Sequence, residues 1–279
     1  MKTKRLMILV SLLAMFAACS RNDSHVDFPS RSAETAFRAK YPGASSVEWE
    51  SAGVFQKVEF VLNSTDYEAW YSVSGVWLQT EYALAYTDVP LAVREYITNN
   101  INYPIGSWKP QRSAEVLERL NYPLWYEVEL KNGNEEVSIW ADAEAYGHYT
   151  VTEDLDRDEL PRSINNFLAS KYTNSWVTEG VELSDGSYVV NLLDGNEVKQ
   201  VHFNPLSEWT YTGWPVSVAD LPAAVQTVLG GEAYKDYSVK SVEFQQYPNE
   251  GYYHIILENT SLPGSRTIWV NIDSQGNIH

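Results

Sequence analysis

Five histidines, thirty-seven acidic side chains and one cysteine are the groups of this 279-residue chain from which chemistry could be built. His25, His148, His202, His254 and His279 stand at no metal-binding spacing, and neither HExxH nor CxxC occurs. His202 and His254 read as solvent-facing strand residues. The stretch DLDRDE, Asp154 to Glu159, sets carboxylates at alternate positions like the start of a calcium loop. It lacks the glycine at the sixth place and the distant bidentate glutamate, and reads equally as an acidic linker dressing the next helix N-terminus. Calcium there stays open. No GxSxG and no glycine-rich phosphate loop are present. With so many carboxylates, any chosen acid pair carries no information. The expectation is a non-enzyme with no cofactor.

The single cysteine, Cys19, closes a leader with a basic start (Lys2, Lys4, Arg5) and an apolar run from Leu6 to Ala18. Residues 1–18 have the form of a secretory signal peptide, too short and wrongly flanked to span a membrane. Phe16-Ala17-Ala18-Cys19 resembles the bacterial lipobox. That resemblance implies a lipidated Cys19 as the first mature residue, a tether over 19–30, and an anchor stronger than one acyl chain gives. The expected location is the envelope of a Gram-negative bacterium, at the outer membrane and facing the periplasm; Ser20 is compatible with that sorting. With the only thiol so used, no internal disulfide can form.

Loss of the leader removes three basic and no acidic residues, leaving 17 against 37, a charge of −20. Such a balance repels nucleic acid and anionic lipid, and no basic patch offsets it. About 260 mature residues exceed one small core, so two domains are the natural expectation.

The elements that must position any site form a repeat. DVPLAVREYI (88–97), ELPRSINNFL (159–168) and DLPAAVQTVL (220–229) each place an acid and a proline before an apolar stripe. The stripes are Val93, Tyr96, Ile97; Ile164, Phe167, Leu168; and Val225, Val228, Leu229, each on one helical face. Proline suits a first turn, where its missing N–H has no acceptor. A fainter copy is SAETAFRAKYP, with Ala33, Ala36 and Phe37 in the stripe, and its Lys40-Tyr41 matches Lys171-Tyr172. After each helix comes a VE-type strand at Val47, Ala114, Val181 and Val242; Pro161 to Val181 and Pro222 to Val242 both span twenty residues. Alternating runs follow at Val58, Tyr126, Tyr188 and Tyr253. Third strands break at Ser72, Asp142, Asn204 and Asp273, and in the return strands Trp77, Tyr149, Trp209 and Ile278 share one position. The fold class expected is α+β: four tandem repeats of one helix on a four-stranded antiparallel meander. Their bounds are 31–86, 87–152, 153–215 and 216–279, arranged as two pairs, 31–152 and 153–279. A continuous row of four is the alternative.

With helix, VE strand, Y-x-V-x-L strand, turn and closing aromatic in place, the chain resembles the PepSY-like, β-lactamase-inhibitor-protein-like group of bacterial exported proteins. The motifs that carry the resemblance are Leu160-Pro161, Leu221-Pro222, Asp194-Gly195 and Asp273 to Gly276. It implies a helix packed on a curved sheet whose open face engages another protein, and no catalytic residues.

The strand register puts Trp70, Trp140, His202 and Asn271 at one outward position, with Trp269 two residues before Asn271. Trp125, Glu127, Glu129, Tyr252 and His254 lie beside them. Rings among acids suit a recognition surface, because Trp and Tyr give contact area at low entropy cost; packing of these rings between paired units is the other reading. The candidate partner-binding residues are Trp70, Trp125, Trp140, Tyr252, His254 and Trp269. An envelope protein that the chain inhibits or regulates is the expected partner; a glycan stacked on the tryptophans is the alternative, and a purely structural envelope role is a third.

Overall fold

The computed structural model describes residues 28–100, 108–145, 147–259, 261 and 266–279. The leader and Cys19 lie outside the described residues.

By element order the chain runs through four helix-led segments. The first has α1 (Arg31–Lys40), β1 (Ser45–Ala52), β2 (Phe55–Leu62), β3 (Thr65–Ser72) and β4 (Trp77–Ala85). The second has α2 (Leu91–Asn100), the two-residue β5 (Lys109–Pro110), β6 (Ser113–Arg119), β7 (Trp125–Asn132), β8 (Glu135–Asp142) and β9 (His148–Leu155). The third has α3 (Arg162–Lys171), β10 (Trp176–Leu183), β11 (Tyr188–Asp194), β12 (Glu197–Phe203) and β13 (Trp209–Pro215). The fourth has α4 (Ala223–Leu229), β14 (Ser238–Gln246), β15 (Gly251–Asn259) and β16 (Arg266–Ile272). All strands except β5, which pairs with β7, follow one another in chain order in a single antiparallel sheet. The sheet continues without a break through the junctions β4–β6, β9–β10 and β13–β14.

Each helix buries the stripe its sequence spells. Ala33 and Phe37, Val93 and Ile97, Ile164 and Leu168, and Val225 are the helical members of four separate cores. The strands below supply alternate residues, such as Val128, Leu130, Val137 and Ile139 in the second segment. Pro161 and Pro222 stand at the N-cap, one residue ahead of the first turn. A lock closes the start of three helices. Four residues after each proline, Arg94, Asn165 and Gln226 donate to the carbonyls of Val89, Leu160 and Leu221. At α1, Ser30 Oγ instead accepts from Ala33 N–H.

The strand breaks have a common cause. Ser72, Asp142, Asn204 and Asp273 each accept backbone N–H bonds from the turn that follows, as Asn204 Oδ1 does from Leu206 and Glu208. Two of the tight hairpins turn on Gly133 and Gly195 at φ +63°, a value glycine adopts without strain.

A clasp recurs in the first and third segments. Tyr41 and Trp77 both meet Thr80 Oγ1, with Lys40 Nζ 3.8 Å from the Trp77 ring. Tyr172 and Trp209 meet Thr212 Oγ1 in the same way, with Lys171 Nζ 3.5 Å from Trp209. The second and fourth segments carry Tyr149 and Ile278 at the tryptophan position.

Candidate functional site

The side of the sheet away from the helices is not open along its whole length. Trp70, Leu78, Phe55 and Ala52 of the first segment pack with Leu193, Val198 and Trp176 of the third. Trp125, Trp140 and Val151 of the second pack with Val181 and Val189, also of the third. The sheet therefore curls until the helix-free faces of three segments meet. Trp70, Trp125 and Trp140 do lie opposite the helices, as the alternation requires, but they are 6%, 9% and 4% exposed and form a second interior. His202 is likewise buried, not solvent-facing. The reason is area: large rings on a sheet that can close on itself gain more by leaving water than by facing it.

This second interior is polar at its centre. Glu81 from β4, Glu115 and Glu127 from β6 and β7, and Glu179 from β10 line a cavity of about 20 Å³ beside Trp125 and Trp140, room for about one water. Burial, then the nearby charges of Asp154 and Glu115, push the Glu127 carboxyl up to about 8. Glu179 is held well above its usual range by burial and then by Glu81, Glu127 and Asp154, and Glu115 is raised by burial and then Asp154. Arg119 is the one fully buried arginine or lysine among the described residues. Its Nη1 donates to Asn191 Oδ1 at 3.3 Å and its guanidinium lies 4.3 Å from the Tyr122 ring centre. Desolvation, and next Arg119, hold His202 down at about 3, so it is neutral at any ordinary pH. These acids stand half-buried around one water-sized space.

Among the described residues no three His, Cys, Asp or Glu side chains are disposed to hold a metal ion. In the stretch from Asp154 to Glu159, the Glu159 carboxylate accepts from the Asp156 N–H, and the Asp156 carbonyl accepts from Glu159 and Leu160. The run thus builds a tight turn ahead of α3.

A line of rings leads outward from the interior. Trp125 stacks with Tyr149 at 5.5 Å, and His202 stacks on Tyr211 at 4.0 Å. Tyr211 meets Tyr247 at 5.4 Å, and Tyr247 meets Tyr252 at 5.9 Å. There the helix-free face of the fourth segment opens. Its cross-strand rows are Gln245–Tyr252, Glu243–His254–Asn271 and Ser241–Ile256–Trp269. His254 Nδ1 and Asn271 Oδ1 are 2.8 Å apart, and the Trp269 ring lies 5.7 Å from His254. Trp269 is 65% exposed, whereas Tyr252 and His254 are half-buried. Burial, offset in part by the Gln245 amide, His254 and Arg119, raises Glu243 toward its neutral form. Of the six candidate contact residues, the fold thus brings Tyr252, His254 and Trp269 together at one surface and encloses the other three. Ile256 belongs to the same patch and was not singled out by sequence. Its only signal was its outward register between His254 and Glu258.

Four helices laid on one long antiparallel sheet, with an interior of rings and acids and one exposed ring cluster, define an α+β repeat protein. The chain belongs to the family described as "Putative beta-lactamase-inhibitor-like, PepSY-like", whose model matches residues 55–145, 125–198 and 186–279. It is similar to the crystal structure of a BLIP-like protein from Bacteroides fragilis, with 24% identity over 48% of this chain and 94% of that one, at a TM-score of 0.39. It is also similar to a DUF2874 family protein from Bacteroides uniformis, with 17% identity over 45% and 91% of the two chains and a TM-score of 0.39. No curated protein matches the chain.

Proposed function

We propose that this chain is a non-enzymatic protein-binding module of the bacterial envelope, and that the helix-free face of the fourth segment is its contact surface. One observation carries the reading. Trp269 stands largely exposed on a strand, braced by the His254–Asn271 pair, while Trp70 and Trp140 of the same face are enclosed. An exposed tryptophan beside a tyrosine, an isoleucine and amides has the make-up of a contact hot spot. The family's inhibitor-like description agrees with a contact role.

The four segments are, in this reading, copies of one helix-and-meander unit, paired as 31–152 and 153–279. The clasp shared by the first and third segments, and not present among the described residues of the second and fourth, favours duplication of a two-unit module. Anchoring through a lipidated Cys19 at the outer membrane, facing the periplasm, rests on the leader sequence, which would hold the face near envelope partners. Affinity capture from the envelope with the wild-type chain and with Trp269→Ala, followed by titration of the purified captured protein, tests the reading. Loss of about tenfold or more in affinity for one protein is expected. Retention on immobilised envelope polysaccharide that Trp269→Ala abolishes would replace it with glycan binding.

A further inference from the structure

Within this chain, a helix-free face is covered by another helix-free face. Trp70 of β3 lies 6.2 Å from Trp176 of β10, and Trp125 and Trp140 pack with Val181 and Val189. Arg119 reaches Asn191 across the same seam. The third segment thereby covers the first two, and the fourth presents the same kind of surface with no described segment over Trp269. The line of rings through Tyr211, Tyr247 and Tyr252 runs from the seam directly onto that surface, so the open face is the continuation of an interface already built.

Charge narrows the choice of occupant. The chain carries a formal −17, so two copies repel over most of their surface. The centre of this face is instead made of rings, Ile256, Gln245 and the His254–Asn271 pair, with Glu243 held toward its neutral form by burial. Like-charged molecules can meet there with little repulsion. A face that complements its own kind closes about a two-fold axis with the same patch on both sides.

We propose that the fourth-segment helix-free face is the contact between two copies of this chain, face against face, with Trp269 on its outer strand. The proposal rests on the reading of this face as a protein-contact surface and names the first protein it meets.

Sedimentation analysis of the full chain between about 1 and 100 μM tests it, with Trp269→Glu as the variant and Leu206→Glu, a highly exposed turn residue elsewhere, as the control. The expected result is a reversible dimer that Trp269→Glu weakens at least about tenfold and Leu206→Glu leaves unchanged. Hydroxyl-radical footprinting of the wild-type chain supplies a readout that needs no variant: oxidation of Trp269 falls as concentration rises. A monomer throughout, or a dimer indifferent to Trp269→Glu whose footprint at Trp269 does not change, overturns the proposal. A monomer whose Trp269→Glu variant still loses an envelope protein leaves the binding-module reading standing and removes the second copy. A dimer lost with Trp269→Glu while envelope binding is untouched does the reverse.

Discussion

Replacing Glu127 by glutamine is expected to stabilise the protein, and by an amount that grows with pH. The ordinary glutamate value is 4.5, and burial beside Asp154 and Glu115 lifts Glu127 to about 8. Below pH 4.5 the carboxyl is protonated in both folded and unfolded chains, and the substitution changes little. Between 4.5 and 8 the unfolded chain releases the proton while the folded chain holds it, so native stability falls by about 1.4 kcal/mol per pH unit. At pH 7 the loss is on the order of 2–3 kcal/mol, shared between Glu127 and the neighbouring Glu115, Asp154 and Glu179 carboxyls, and it levels off once the folded carboxyls ionise. Glutamine keeps the shape and removes the proton equilibrium. Urea unfolding at pH 4, 7 and 9 should therefore give midpoints that coincide at pH 4 and separate progressively in favour of Glu127→Gln. Curves that stay parallel across that range would show that Glu127 is solvated in the folded state and that the acid-lined interior has been misread.

Three further outcomes follow from the packing. Thr212→Val leaves Tyr172 and Trp209 without their shared hydroxyl and should cost about 1–3 kcal/mol in chemical denaturation; Thr80→Val should cost a similar amount through the equivalent clasp. Asn165→Ala frees the Leu160 carbonyl at the start of α3 and should lower stability by about 1 kcal/mol, measured the same way, with Gln226→Ala behaving alike at α4. Gly75→Ala would bring a methyl group to 2.7 Å from the Ser32 backbone carbonyl oxygen, at a φ of +89° that only glycine adopts without strain. The expected loss is about 1–3 kcal/mol, and a melting temperature unchanged from wild type would refute the close approach.

The helices and strands were legible because each faces one core on one side. Val93 and Ile97, Ile164 and Leu168, and the alternation Tyr126, Val128, Leu130 report burial directly through their spacing. What lies across from a strand's other side leaves no periodic trace. Glu81, Glu115, Glu127 and Glu179 occupy positions that alternate with core residues and so read as solvated, yet curling of the sheet places them around one cavity. The hint was Trp70 and Trp140 among those acids, and it pointed equally to an open surface and to an enclosed one. For the face that the fourth segment leaves open, register alone grouped Tyr252, His254 and Trp269, while their exposure, and the enclosure of Trp70, Trp125 and Trp140, depend on long-range curvature. The helix locks escaped notice for a different reason. Arginine, asparagine and glutamine do one job at Arg94, Asn165 and Gln226, so the shared distance from the proline was the only trace.

Apart from β5, the meander joins each strand to its neighbour in chain order, and this sets an order of events during synthesis. Each hairpin needs the closure of only a short loop, which is fast. The seam of rings and acids instead waits for the third segment, because β10 and β11 supply Trp176, Val181 and Val189 to both of its halves. A chain halted after β9 would hold its ladders yet present Trp70 and Trp140 to water, a sticky intermediate that completion of the next helix and its hairpins removes.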